Sequence, residues 1–182
     1  MELPLTRLTI RSWRTDDAAA LAPLADDYEV WRNLRDRFPH PYAVADAHEF
    51  ITRALSREPQ VNYAIALDGA PIGSIGIIPG EDIYRFSAEF GYWLGRPFWG
   101  RGFASEAILG FTDWAFAEWN FIRFNAFVFS WNTASARALE RGGFTREATM
   151  KCAAVKEGRA ADEWCYARLR PGAASGAVVH GA

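Results

Sequence analysis

The chain has 182 residues, of which 50% are apolar and 15% are aromatic. This length and composition suffice for one domain with a substantial core and argue against disorder over most of the chain. A formal net charge of −2 favours neither nucleic acid nor an acidic membrane surface as a partner. There is no apolar run of roughly 18 residues, no secretory leader and little cysteine, so we expect a reduced, cytoplasmic location without a membrane span or a disulfide framework.

The first half of the chain alternates short strand-like and helix-like segments. Alternation of apolar residues predicts strands, whereas capping residues and apolar spacings of three and four predict helices. Asp46 is the predicted N-cap of one helix, and Asp68 with Gly69 forms a predicted turn between two strands. The predicted strands cover residues 6–13, 62–67 and 72–78, and the predicted helical segments cover residues 15–25, 28–34 and 46–55.

The second half begins with a strand and continues with a long helix and a second, more apolar strand. Residues 104–119 predict the helix, because Ala104, Ile108 and Phe111 recur on one face. The remaining predicted elements are strands at residues 86–94, 124–129, 145–155 and 162–169, and a helix at residues 133–141 that ends at Gly142 and Gly143. This order predicts an α+β, or mixed α/β, sheet with helices on both sides.

Residues 99–107 read Trp-Gly-Arg-Gly-Phe-Ala-Ser-Glu-Ala and lie where a strand passes into the long helix. Gly100 and Gly102 let the backbone approach a bulky ligand, and the first turn of a helix presents unpaired N–H groups with partial positive charge. The junction therefore predicts a cradle for a pyrophosphate. A P-loop would need Gly-Lys-Ser/Thr, and a dinucleotide-binding fingerprint needs another spacing. The alternative is an ordinary strand–helix turn.

Three blocks together resemble the GNAT N-acyltransferases, and more narrowly the RimJ/RimL-type branch of that superfamily. They are the strand at residues 89–94, the loop at residues 99–107, and the block that runs from Asn132 and Ser135 to Gly143 and Phe144. The resemblance covers residues 8–170. It implies a single domain over residues 1–170, with a central, mostly antiparallel, twisted sheet of about seven strands, splayed between strands 4 and 5 and flanked by about four helices. Residues 171–182, rich in glycine and alanine, are predicted to form a flexible tail.

The resemblance implies acetyl-CoA as the donor and a primary amine as the acceptor. The family's pyrophosphate loop is usually written Gln/Arg-x-x-Gly-x-Gly/Ala. Gly102 and Ala104 match this pattern, whereas its first position is Trp99, a residue common there in the RimJ/RimL branch. A backbone N–H near Trp93 or Leu94 would polarise the thioester carbonyl where the strand splays. The residues that the resemblance assigns to acetyl-CoA are Trp93, Leu94, Trp99, Gly100, Arg101, Gly102, Phe103, Ala104, Ser105, Asn132 and Ser135.

Asn132 and Ser135 each have a local alternative. In the family the asparagine contacts the pantetheine arm or nearby backbone, and the serine contacts the cofactor and is a candidate proton donor to the leaving thiolate. Asparagine is equally suited to cap a helix, and a first-turn serine can satisfy local backbone groups. Many GNAT enzymes also carry a tyrosine as general acid four residues after this serine. Residues 138–141 contain no tyrosine, so Ser135, a water or bulk solvent are the candidates for that role.

Glu89 is the candidate general base. It shares one face of its strand with Gly91 and Trp93, in an apolar setting where an unpaired carboxylate is costly. The amine must lose a proton, and a carboxylate of raised pKa suits that step, directly or through a water. Family members often use a glutamate here. The alternatives for Glu89 are an ion pair with an arginine of a neighbouring strand or a position on an exposed face. Glu163 is the second candidate base, and the alternative for it is a position in a surface turn.

The sequence leaves the acceptor open between the α-amine of a protein N-terminus and a small amine. A different class of function is an acyl-CoA-binding sensor or interaction domain that has lost catalysis. A homodimer is compatible with the resemblance, although no sequence feature defines an interface. His40, His48 and His180 lack the spacing of metal ligands, so we expect no metal site.

Overall fold

Eight strands form one sheet in the computed structural model, which describes residues 1–176. The strands are β1 (Glu2–Pro4), β2 (Thr9–Arg11), β3 (Asn62–Leu67), β4 (Ala70–Pro79), β5 (Ser87–Leu94), β6 (Arg123–Phe129), β7 (Thr145–Lys156) and β8 (Arg159–Leu169). They lie in the order β1-β2-β3-β4-β5-β6-β8-β7. The β5–β6 pair is parallel, and the other neighbours are antiparallel.

Helices cover both faces of this sheet. They are α1 (Ala18–Ala25), α2 (Tyr28–Trp31), α3 (Val44–Leu55), α4 (Phe103–Glu118) and α5 (Thr133–Arg141). On one face, α1 and α3 bury Leu21 and Ile51 in a cluster with Trp13. On the other face, α4 buries Phe111 in a larger cluster with Phe90 of β5. The sheet is thus enclosed between two apolar cores, as the predicted mixed fold requires.

The predicted fold class is confirmed, although the described residues form eight strands rather than about seven and five helices rather than about four. The strand at residues 62–67 and the helix at residues 133–141 have their predicted bounds. The additional strand is β1, whose three residues are too few to show an alternation and which pairs with β2 at the sheet edge. The predicted strand at residues 6–13 is reduced to Thr9–Arg11.

Two further boundaries differ for local reasons. The helix α3 begins at Val44, and Asp46 lies in its first turn, where its carboxylate accepts a hydrogen bond from the Ala43 N–H at 2.7 Å. Asp46 therefore satisfies a backbone N–H at the start of the helix from a position within the first turn, instead of preceding the helix as its N-cap. The strand β8 begins earlier than predicted because Glu157 and Gly158, with φ of 51° and 73°, close a tight hairpin turn. The predicted flexible tail lies outside the described residues from position 177 onward.

The strands β5 and β6 pair over only a short stretch. Ser87 to Glu89 lies opposite Arg123 to Asn125, and the pairing ends there while β5 continues to Leu94. Parallel strands that part in this way leave backbone groups without ladder partners. Because β1 was not predicted, the predicted strands 4 and 5 correspond to β5 and β6. The predicted splay is found between these two strands.

Candidate active site

A cavity of about 770 Å³ occupies the splay between β5 and β6. We call one side the loop wall, formed by the segment from Trp99 to Ser105 and by α5. The other side, the carboxylate wall, is formed by Glu89, by Glu163 and by the segment that follows α2. Except for Arg101, the residues predicted from the sequence line this cavity: Glu89, Trp93, Leu94, Trp99, Gly100, Gly102, Phe103, Ala104, Ser105, Asn132 and Ser135.

The loop wall is built on two glycines in left-handed backbone. Gly100 has φ of 72° and Gly102, the residue before α4, has φ of 80°, a region that side chains with a Cβ rarely adopt. A Cβ at Gly100 would meet open space. The Trp99 indole N–H donates to the Leu94 carbonyl at 2.7 Å, which ties the loop to the end of β5. The loop thus presents backbone N–H groups at a helix N-terminus, as pyrophosphate binding needs.

Arg101 does not line the cavity, and its backbone is held by Arg7. The Arg101 guanidinium lies 4.7 Å from the centre of the Phe103 ring. Its carbonyl accepts a hydrogen bond from Arg7 at 2.9 Å, and the backbone N–H and Nε of Arg7 both donate to Glu106 at 2.7 Å. The positive charge of Arg7 therefore balances the negative charge of Glu106, which lies in the first turn of α4, close to the glycine loop. No spacing in the sequence pointed to Arg7, because it is 99 residues from Glu106.

Backbone direction distinguishes the two predicted oxyanion donors. The Gly95 N–H donates to the Ile72 carbonyl of β4 at 2.9 Å, whereas the Phe86 carbonyl accepts from the Ile122 N–H on the β6 side. Backbone groups alternate along a strand, so the N–H of Trp93 points to β4 and that of Leu94 points into the splay. The Leu94 N–H thus has the geometry of a donor to a ligand, while Trp93 contributes its side chain to the cavity lining.

Ser135 is fixed from two directions at the start of α5. The Asn132 side-chain oxygen accepts a hydrogen bond from the Ser135 N–H at 3.1 Å, so Asn132 caps the helix. The Ser135 hydroxyl lies 3.0 Å from the Tyr92 hydroxyl of β5, rather than bonding local backbone. Burial raises the pKa of Tyr92 to about 12, which keeps its O–H intact at neutral pH. The sequence did not single out Tyr92, although the predicted alternation of β5 placed Tyr92 and Glu89 on opposite faces of the strand.

Two carboxylates and an arginine meet on the carboxylate wall. The Arg35 guanidinium lies 2.5 Å from the Glu89 carboxylate, so Glu89 is ion-paired, but to the segment after α2 rather than to a neighbouring strand. Glu163 lies half-buried within β8, opposite Phe129 of β6, and does not belong to a surface turn. Burial raises the pKa of Glu163, the charge of Glu89 raises it further, and Arg35 opposes the shift. Both candidate bases therefore face the same cavity.

The hairpin of β7 and β8 holds the segment after α2 in place. The Lys156 ammonium lies 2.8 Å from the Asp36 carboxylate and 3.7 Å above the centre of the Trp31 ring. The Trp131 indole N–H donates to the Asn33 side chain at 3.1 Å. Lys156 is buried while Asp36 is exposed, so the lysine contacts this segment from its buried side. The position of Arg35 against Glu89 is thus supported from the far edge of the sheet.

A sequence model of the acetyltransferase (GNAT) domain family matches residues 7–145. The chain therefore belongs to the GNAT acetyltransferase family and is an acetyl-CoA-dependent N-acetyltransferase. Over 170 residues it is 33% identical to the uncharacterized N-acetyltransferase p20 of Bacillus licheniformis. That match covers 90% of this chain and 93% of p20.

Solved structures of the family have the same fold. The ribosomal L7/L12 alpha-N-protein acetyltransferase RimL, in complex with coenzyme A, superimposes with a TM-score of 0.81 at 24% identity, over 93% of this chain and 98% of RimL. The microcin C7 self-immunity acetyltransferase MccE, in complex with acetyl-CoA and AMP, gives 0.76 at 20% identity, over 91% and 93% of the two chains. At these identities the likeness establishes the fold.

Residues 1–176 contain neither a candidate membrane-spanning helix nor a candidate metal-binding cluster. None of the helices in that part of the chain is both long enough and apolar enough to cross a membrane. No group of three or more histidine, cysteine, aspartate or glutamate side chains in the same residues is arranged to hold a metal ion. His180 lies outside the described residues.

Proposed function

We propose that this enzyme transfers the acetyl group of acetyl-CoA directly to a primary amine while both substrates are bound. The observation that carries the proposal is that the glycine loop and the candidate bases Glu89 and Glu163 line the same cavity. Direct transfer requires donor and amine to meet in one site, with the reacting groups held in contact. An acyl-enzyme intermediate is not needed in such an arrangement.

The loop wall fits the donor. A Cβ at Gly100 would meet open space, so the loop has room there for a diphosphate, and backbone N–H groups at the start of α4 would bind it. When bound, acetyl-CoA supplies an activated thioester. Leu94 would donate its N–H to the thioester oxygen as negative charge develops there, and a preorganised donor of this type typically contributes about 3 kcal/mol. Asn132 and Ser135 would stand beside the pantetheine arm, Asn132 keeping its role as helix cap.

The carboxylate wall fits the amine. We propose Glu89 as the group that accepts the amine proton, directly or through a water, with Glu163 as the competing candidate. The raised pKa of Glu163 suits a base, whereas the position of Glu89 on β5, beside the splay, suits contact with the nucleophile. An α-amine has an ordinary pKa near 8 and a lysine near 10.4, so an α-amine is the easier of the two to deprotonate.

For the acceptor we propose the α-amine of a peptide N-terminus or a small amine that is not a polycation. Outside α5, four arginines line the cavity but only two glutamates: Arg35, Arg37, Arg53 and Arg57, against Glu89 and Glu163. A polyamine would be repelled by such a lining. RimL is a protein N-terminal acetyltransferase, which supports peptides, and MccE binds AMP beside acetyl-CoA, which supports small molecules.

The test is release of free thiol from acetyl-CoA with two acceptor pools. One pool holds short peptides with free N-termini and their N-formylated counterparts; the other holds small amines, including a polyamine. Release with peptides alone assigns protein N-terminal acetylation, and release with small amines alone assigns metabolite modification. Glu89→Gln combined with Glu163→Gln is the matched control. Tight acetyl-CoA binding with no release from either pool would contradict the proposal and identify a sensor.

We also propose that residues 1–170 form the catalytic domain of a cytoplasmic enzyme, and that residues 171–182 are dispensable. The two cysteines, Cys152 and Cys165, are free thiols, in keeping with a reducing compartment. A chain ending at residue 170 should retain the acetyl-CoA affinity and turnover of the full chain. Sedimentation of both forms would determine whether a homodimer exists and whether the tail contributes to it.

A further inference from the structure

Residues 138–141 contain no tyrosine, but Tyr92 brings a half-buried hydroxyl to the start of α5. Its side chain comes from β5 rather than from α5, and its hydroxyl lies 3.0 Å from that of Ser135, 43 residues away. Both residues line the cavity. Tyr92 and Leu94 share one face of β5, so the hydroxyl pair lies on the same side of the strand as the loop wall.

The direction of this hydrogen bond follows from acidity. A phenol, with a pKa near 10, is a much stronger acid than an aliphatic alcohol, so Tyr92 donates and Ser135 accepts. The proton of the Ser135 hydroxyl is then left without an acceptor among residues 1–176, because its oxygen makes no other hydrogen bond there. A donor that already accepts a hydrogen bond is polarised and becomes a better donor itself.

We propose that Tyr92 is a positioning residue that turns the Ser135 hydroxyl toward the leaving sulfur of CoA. This inference rests on the proposed function, because it needs the thiol end of CoA to lie at the start of α5. In the step concerned, the C–S bond breaks with its electron pair on sulfur, and Ser135 donates a hydrogen bond to the thiolate that forms. A thiol has a pKa near 8.5, so Ser135 keeps its proton. The thiolate gains a proton from solvent, which balances the proton that the amine loses.

Packing alone does not account for the Tyr92 hydroxyl. The ring packs 6.1 Å from that of Phe90, and a phenylalanine would fill the same space. Tyr92→Phe therefore removes the hydroxyl and keeps the ring. The matched control is Tyr63→Phe, because Tyr63 is a tyrosine of the same sheet whose hydroxyl donates to the Gln60 backbone carbonyl at 2.6 Å and does not line the cavity.

The first experiment titrates the thiol of bound CoA by the ultraviolet absorbance of the thiolate, with no acceptor present. A hydrogen bond from Ser135 stabilises the thiolate, so we expect the pKa of the bound thiol to be higher in Tyr92→Phe and in Ser135→Ala than in the wild type, by about one unit. Tyr63→Phe should match the wild type. An unchanged thiol pKa in Tyr92→Phe would overturn the proposal.

The second experiment is a double-mutant cycle on acetyl transfer. We expect Tyr92→Phe to lower kcat about tenfold and to leave the KM for acetyl-CoA nearly unchanged. Because Tyr92 acts through Ser135, the double variant should be no slower than Ser135→Ala alone. Additive losses would mean that Tyr92 reaches the sulfur independently, and would overturn the proposal.

The two experiments separate this inference from the proposed function. If no amine is acetylated, the titration of bound CoA still measures the contact between Ser135 and sulfur. If Tyr92→Phe fails to fold, Ser135→Ala and Ser135→Thr carry the test. The threonine variant keeps the hydroxyl and should restore the low thiol pKa, whereas a high pKa in Ser135→Thr with wild-type CoA affinity would count against the proposal.

Discussion

The Arg35 guanidinium lies 2.5 Å from the Glu89 carboxylate, although the two residues are 54 positions apart. This ion pair joins the segment after α2 to the strand that borders the splay. An acceptor ammonium entering the cavity therefore meets a carboxylate that is already paired, and Glu163 lies within electrostatic reach of both partners. The identity of the base and the charge of the acceptor are thus linked through Arg35.

Replacing the two carboxylates one at a time should identify the base. Loss of a general base typically lowers the rate by about a hundredfold to ten-thousandfold, so we expect Glu89→Gln to lower kcat/KM within that range and Glu163→Gln to lower it less. Rates measured across pH check this. If Glu89→Gln leaves the pH–rate profile unchanged while Glu163→Gln abolishes its acidic limb, Glu163 is the base instead.

The pKa of Glu163 should respond to its two neighbours in opposite directions. Glu89 raises this pKa and Arg35 lowers it, so Glu89→Gln should lower the pKa of Glu163 and Arg35→Gln should raise it. A carboxyl carbon NMR titration measures both shifts without relying on activity. Glu49→Gln, an exposed change on α3, is the control and should leave the pKa of Glu163 unchanged. Shifts of the opposite sign would contradict the arrangement of these three charges.

Adding a Cβ to the glycine loop should weaken acetyl-CoA binding. Gly102 has φ of 80°, so Gly102→Ala costs about 1 kcal/mol of backbone strain. Its Cβ would lie 3.4 Å from the Arg7 guanidinium, so the strain and this contact would both disturb the loop that we propose binds the pyrophosphate. Gly69→Ala is a matched control, because Gly69 has φ of 83° with open space around it in the turn between β3 and β4. We expect both variants to lose similar stability and only Gly102→Ala to raise the Kd for acetyl-CoA. Equal Kd values would place the pyrophosphate elsewhere.

A side chain at Gly91 should obstruct the acceptor and leave the donor unaffected. Gly91 lies on the face of β5 that carries Glu89, lines the cavity, and has no heavy atom within 4 Å of a Cβ built there. We expect Gly91→Val to fold normally, to raise the KM for the amine about tenfold and to keep the Kd for acetyl-CoA. Gly73→Ala on β4 is the contrast, since its Cβ would collide with the Trp93 carbonyl oxygen and should disrupt the sheet. An unchanged KM for the amine in Gly91→Val would show that this face of β5 does not contact the acceptor.

The ion pair of Arg11 and Asp17 should matter for stability rather than for catalysis. Both side chains are 5% exposed and their charged atoms lie 2.8 Å apart, so Asp17→Asn leaves a buried guanidinium without its counter-charge. Breaking a buried pair in this way typically costs about 3–5 kcal/mol. The exposed pair of Arg53 and Glu49 provides the comparison, because Glu49→Gln should cost less than about 0.5 kcal/mol. Urea unfolding measures both, and equal losses would contradict the argument from burial.

Local sequence signals determined several elements of this protein. The bounds of α5 could be predicted because Asn132 caps one end and Gly142 follows the other, and both signals act over a few residues. The glycine loop could be predicted because Gly100 and Gly102 separate an alternating strand from a periodic helix. The strand β1 could not, since three residues carry no period and its place depends on pairing with β2.

The partners of the site residues depended on the tertiary structure. Glu89 was a candidate from its position in an apolar strand, but its contact with Arg35 exists only because the segment after α2 is held over β5 by Lys156 and Asp36. Tyr92 meets Ser135 only because β5 and β6 part after Glu89. The sequence alone determined the family, most of the elements and the glycine loop, because these follow from short-range patterns of backbone preference and apolar spacing. Only the tertiary structure decided which distant side chains share the cavity, because those contacts arise from the packing of the sheet and its helices rather than from any spacing along the chain.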